Sequence, residues 1–201
     1  NSPKHEFDLI RKIAVTSGRP VSFSLIAHDQ AREHTENHGS WRDYLGYLDS
    51  ASAEGLPIRA QIFPRPTGIL FGLNLSYHPF SLNPSYRELA DLPLDAKVRA
   101  MRDPAMRARL LSESPADPNP FFSWLVKQTH LLFPLGDPPN YAPQPNESIK
   151  SKAAMQGKPE RELIYDELLE RDGEALIYCP IGNMEDGRFD AAFGLFGKHA
   201  T

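Results

Sequence analysis

The chain has 201 residues, 40% of them hydrophobic, which is enough to bury one sizeable core, so global disorder is excluded. Its formal net charge is -4, and the acidic and basic residues are spread along it without a basic block, so nucleic acid and anionic membrane surfaces are not expected partners. A single cysteine, Cys179, cannot form an internal disulfide and favours a reducing, cytoplasmic compartment; no apolar run reaches the roughly 20 residues that span a bilayer.

The first residue is not Met, and the opening segment Asn1-Ser2-Pro3-Lys4-His5-Glu6 lacks a signal peptide's apolar stretch, so the sequence is expected to be an internal piece of a longer product. Phe7, Ile10, Ile13 and Ala14 recur at helical spacing up to Gly18, which predicts an amphipathic helix over 5–17. Residues 21–27 then form a short apolar run behind Pro20, expected as a buried parallel strand. Trp41, Tyr44, Leu45, Leu48 and Ala51 share one helical face over 41–54, closed by Gly55, and 58–63 is a second strand candidate. This alternation is the rhythm of βα units with a parallel sheet.

The rhythm breaks after Pro66. Helices are expected over 86–92, 96–101 and 104–113, the last capped by Asp103 with Pro104 in its first turn. The apolar segment 121–133, with Phe121, Phe122, Trp124, Leu125, Leu131, Leu132 and Phe133, should anchor this region, between hinges in the proline-rich stretches 115–120 and 134–145. A helical pair over 148–156 and 160–170 follows, then a third barrel-type strand over 175–180 and a helix over 190–196. A barrel and an open doubly wound sheet would both produce this alternation, and a complete (β/α) barrel needs eight strands; on the family resemblance given below, the expected fold is α/β, part of a (β/α)8 TIM-type barrel with a long, mostly helical insertion. The corresponding division is 1–66 as barrel βα units, 67–150 as an insertion or lid over the barrel mouth, and 151–201 as later barrel units.

Ligands bind at the carboxyl ends of strands in such architectures, which singles out His28 and Arg65, and His78 sits in the loop that follows. His28, followed by Asp29, stands just past the first strand and is the metal-ligand candidate, against its reading as an ordinary polar residue leaving a strand. Arg65, between Pro64 and Pro66 at the end of the second strand, has a guanidinium fork suited to a substrate carboxylate, against an ordinary surface ion pair. His78, in Tyr77-His78-Pro79-Phe80, is a substrate-binding candidate with packing against its aromatic neighbours as the alternative. His34 and His38 are four apart but lie in a polar loop, and Cys179 reads as a buried thiol with no base to activate it. No catalytic residue can be assigned. Phosphate-cradling glycine motifs and C-x-x-C pairs are absent.

Several phrases, in order, resemble the N-acyl-D-amino-acid deacylase branch of the amidohydrolase superfamily. They are Gly18-Arg19-Pro20-Val21-Ser22-Phe23, Ala53-Glu54-Gly55-Leu56-Pro57-Ile58-Arg59-Ala60-Gln61, Phe63-Pro64-Arg65-Pro66-Thr67-Gly68, His78-Pro79-Phe80 with Pro84-Ser85-Tyr86, Phe133-Pro134-Leu135-Gly136-Asp137, and 165–173. The resemblance implies a barrel carrying one or two zinc ions whose bound hydroxide attacks the amide of an N-acyl amino acid. The family's His-x-His pair is absent, and the final Lys198-His199-Ala200-Thr201 resembles the stretch before its last strand and catalytic Asp. The expectation is therefore a fragment of a metal-dependent hydrolase, inactive alone and without zinc of its own. A homodimer or another chain could complete the barrel, and the alternative function is a non-catalytic half-barrel acting as a binding or assembly module.

Overall fold

A computed structural model describes residues 2–26, 40–115, 120–183 and 194. The fold is mixed α/β, with one small parallel sheet and one sheet containing an antiparallel pair. Its contacts divide the chain into two compact units, one made of the described residues up to Thr67 together with those from Ile181, the other of Gly68–Pro180.

In the first unit, α1 (Pro3–Ser17) starts where Ser2 accepts a hydrogen bond from the His5 N–H and Pro3 occupies the first turn, and it ends at Gly18 in the left-handed conformation, φ 62°. Strand β1 (Val21–Leu25) follows. Helix α2 (Trp41–Ala53) opens on a reciprocal cap between Ser40 and Asp43, and β2 (Ile58–Ile62) returns parallel to β1 with Val21 opposite Ile58 and Leu25 opposite Ile62. Phe7 and Ala14 of α1, Leu48 and Ala51 of α2, and Ile58 bury one core with Val21 and Phe23 against it; Leu25 and Trp41 bury a second. Each side chain of this size fully removed from water contributes about 1.5 to 3 kcal/mol. Arg11 grips Glu54 with two hydrogen bonds, 2.8 and 2.6 Å, tying α1 to the exit of α2.

Ile13 was placed on the buried face of α1, yet it is 49% exposed alongside Leu9 and Val15, because the helix contacts its neighbours through the narrower stripe of Phe7, Ile10 and Ala14. Strand β1 is expected from its sequence to be buried, but it and β2 alternate: Ser22, Ser24, Arg59 and Gln61 are exposed while their neighbours face the helices. The alternation was present in the residue types, Val-Ser-Phe-Ser-Leu, which follow the period of two that places successive side chains on opposite faces.

In the second unit the insertion is not purely helical. Strand β3 (Thr67–Phe71) begins directly after the Pro64–Pro66 turn and enters a three-stranded sheet of order β3-β5-β4, in which the two-residue β4 (Phe133–Pro134) runs antiparallel to β5 (Ile177–Gly182). The third expected barrel strand thus pairs with strands of the insertion. Among the described residues the strands close no barrel. Tyr86, expected to open an α-helix, lies in a 3-10 turn, Pro84–Glu88. It is followed by α3 (Leu94–Arg102), α4 (Pro104–Ser112), α5 (Pro120–Leu125), α6 (Ile149–Gln156) and α7 (Glu160–Leu169).

Asp103 caps α4 through the N–H groups of Ala105 and Met106. The core gathers Phe71, Phe80, Met101, Leu110, Leu125, Leu132, Phe133, Ile149, Tyr165, Leu168 and Ile177, so the apolar stretch around 125–133 is buried, and the unit runs on past residue 150 to Pro180. Tyr165 is fully buried and its hydroxyl donates to the Met101 carbonyl at 2.7 Å. The helix expected over 190–196 lies outside the described residues, Gly194 apart.

Candidate functional site

Three strand exits converge in the first unit. Strand β1 ends beside Ile26, β2 leads into Phe63, and β5 ends at Gly182, followed by Asn183. A Cβ on Gly182 would overlap the Ile26 side chain, so glycine is what permits β5 to end so near the carboxyl end of β1. Asn183, fully buried and left-handed at φ 60°, then turns its amide onto the β2 exit. Its Nδ2 donates to the carbonyls of both Phe63 and Arg65, each at 3.0 Å.

That contact defines the turn carrying Arg65. Pro64 and Pro66 fix their own φ and offer no N–H, and each restricts the residue before it to extended backbone, so Phe63 and Arg65 have little conformational freedom. The side chain of Arg65 is exposed, and its guanidinium has no hydrogen-bond or ion-pair partner among the described residues. Arg11 closes on Glu54, Arg107 on Asp166 and Glu162, and Arg109 on Glu88, whereas Arg19 and Arg87 share the exposure of Arg65 but do not stand on its proline-flanked turn at a strand exit. Arg65 thus presents a planar cation, unpaired among the described residues, from a proline-restricted turn at the carboxyl end of a parallel strand, a geometry able to receive a carboxylate through two parallel N–H donors.

His78 belongs to the second unit and is 1% exposed. Its backbone N–H donates to Ser81 Oγ at 2.7 Å, and its Nδ1 accepts from the Phe80 N–H at 3.3 Å, which places the ring proton on Nε2. Nε2 is buried without a partner, and the ring meets Tyr86 edge-on with centres 4.3 Å apart. Lys97 donates to the Leu73 carbonyl at 3.2 Å and lies 5.7 Å from the centre of the same tyrosine ring. Burial, reinforced by the Lys97 charge, pushes the His78 imidazole down to about 3, and burial pushes Tyr86 up to about 12. The pair is neutral at ordinary pH and enclosed, so in this conformation His78 meets Tyr86 and the backbone of its own turn rather than a solute. Asn83, from the same region, ties the segment to α4 by donating to the Leu110 carbonyl at 2.9 Å.

His28, the metal-ligand candidate, lies outside the described residues, as do Asp29, His34 and His38. Cys179 is fully buried in β5. Among the described residues no group of three or more His, Cys, Asp or Glu could hold a metal ion, so these residues do not fit the zinc centre that the resemblance implies, and no chemical step is derived through one. No helix among them is long and apolar enough to cross a membrane. Asn183 is the site residue that the sequence did not single out; its one signal was a Gly-Asn pair closing an apolar strand, a turn-type pair tolerant of left-handed backbone.

No protein-family model matches the chain, and neither a curated protein nor a solved structure matches it.

Proposed function

We propose that the chain is part of a metal-dependent amidohydrolase acting on N-acyl amino acids, and that Arg65 holds the substrate carboxylate. The observation that carries this reading is the unpartnered guanidinium on a proline-fixed turn where the exits of β1, β2 and β5 meet. Substrate sites of βα architectures lie at such carboxyl ends, and the α2 crossover between parallel β1 and β2 is one βα unit of that kind. The exposed polar face of the same pair supports placing these strands in a barrel, because parallel strands ordinarily have both faces covered and Ser22, Ser24, Arg59 and Gln61 would then point inward. The reaction type and the zinc rest on the resemblance of the sequence phrases; the carboxylate contact rests on Arg65 itself.

Steady-state kinetics of the complete protein with an N-acetyl-D-amino acid and its carboxamide test the proposal. Arg65→Lys keeps the charge and loses the fork, so the specificity constant for the acid should fall by about 1.5 to 3 kcal/mol, with the carboxamide little affected. An unchanged specificity constant for the acid in Arg65→Lys removes Arg65 from substrate binding. Tight binding of the acid without hydrolysis by the complete, zinc-supplied protein would favour the non-catalytic binding module.

A further inference from the structure

We infer that Asn183 is the positioning residue for Arg65, a role that rests on Arg65 binding the substrate carboxylate. One primary amide satisfies the carbonyls at both ends of the Phe63-Pro64-Arg65 turn, using the two hydrogens of a single Nδ2 at 3.0 Å each. Proline restriction alone fixes the shape of that turn, whereas its orientation relative to the β1 and β2 exits depends on an outside anchor. Asn183 supplies this anchor from the end of β5, a segment separated from the turn by more than a hundred residues of sequence. The direction in which the Arg65 side chain leaves its Cα follows from this clamp, and with it the region that the guanidinium can reach.

The residue type fits the role on two independent counts. Asn is among the non-glycine residues that most readily adopt positive φ, as position 183 requires at 60°. It also carries an NH2 group able to donate twice, which the isosteric Asp lacks. Complete burial keeps water from competing for the two carbonyls.

The test is a double-mutant cycle on the purified protein, with N-acetyl-D-alanine and its carboxamide as calorimetric probes and Asn183→Gly, Asn183→Asp and Arg65→Lys as variants. Asn183→Gly keeps the backbone conformation and loses both bonds, while Asn183→Asp keeps the shape and sets an oxygen against the two carbonyls. Both are expected to weaken binding of the acid about tenfold without changing that of the carboxamide. In the Arg65→Lys background the same changes should cost less than twofold, because the fork they orient is already gone.

A merely structural role would weaken both probes equally, or add fully to Arg65→Lys, and either result overturns the inference while leaving Arg65 as carboxylate ligand intact. A wild type that binds neither probe overturns the Arg65 reading itself and leaves Asn183 as a clamp of the fold alone. A ligand-free measurement decides the positioning step separately: the 15N relaxation of the Arg65 amide should report a rigid turn in the wild type and a mobile one in Asn183→Gly. Equal rigidity in the two proteins contradicts the clamp.

Discussion

Lowering the pH from 7.5 to 5 should destabilise the second unit through one residue, His78. Its imidazole is buried against Tyr86 and near Lys97, with a folded-state value of about 3 against an ordinary 6.5. The unfolded chain therefore takes up a proton at this site between pH 6.5 and 3 that the folded protein refuses, so stability is complete above 6.5 and falls as the pH drops through that window. Each pH unit inside it costs about 1.4 kcal/mol, which amounts to about 2 kcal/mol at pH 5 and about 5 kcal/mol over the whole span. Set against a typical domain stability of about 5 to 15 kcal/mol, that loss is large.

Urea unfolding at pH 7.5, 6.5, 5.5 and 5, with the wild type and His78→Gln side by side, measures it. The side-by-side comparison cancels the carboxylates: Glu54 and Asp95, held below their ordinary values by hydrogen bonds from Arg11 and Arg99, and Glu167, which burial raises. The variant should be less stable at pH 7.5 but nearly flat down to pH 5. Parallel slopes for the two proteins would refute the reasoning, because they would show that the proton responsible is not carried by His78.

Gly68→Ala should cost about 1 to 3 kcal/mol by overpacking, since the added Cβ would overlap the Tyr178 ring and sit 2.7 Å from the Cys179 carbonyl. Gly46→Ala, exposed in mid-α2 with open space around it, should instead stabilise by about 0.5 to 1 kcal/mol, and thermal melts of the two variants together check both signs. Asp103→Ala removes the acceptor for the Ala105 and Met106 N–H groups and should cost about 1 kcal/mol in denaturant unfolding. Cys179, fully buried, should react with a thiol reagent only as fast as the protein opens, so addition of urea should accelerate labelling sharply.

The parts of the fold legible in the sequence were those set by local rules. Helices α1 and α2 announced themselves through apolar residues at helical spacing closed by Gly18 and Gly55, and α4 through Asp103 with Pro104, because such signals act over a few residues. Strands β1 and β2 were visible for the same reason. Strand β3 was not. Its Thr-Gly-Ile-Leu-Phe is short, follows a proline turn and contains a glycine that weakens a strand locally; its partner β5 lies about a hundred residues on, where no neighbouring residue reports it. The placement of β5 was missed with it, since an apolar run shows that a strand is buried and not which strands lie beside it.

The candidate site divides in the same way. Arg65 was legible because two prolines flank it after a strand, whereas the amide of Asn183 that fixes its turn is a long-range contact. The burial of His78 depends on Tyr86, Lys97 and the turn around Phe80 folding over it, so its choice between ligand and packed ring required the structure.

The most direct test of carboxylate recognition at the β2 exit is an NMR titration of the arginine side-chain Nε–H signals with N-acetyl-D-alanine and, separately, its carboxamide. The account predicts a saturable shift of the Arg65 signal with the acid, little response to the carboxamide at the same concentration, and loss of affinity in Arg65→Lys. Saturable binding of the acid that leaves the Arg65 signal unmoved would contradict it.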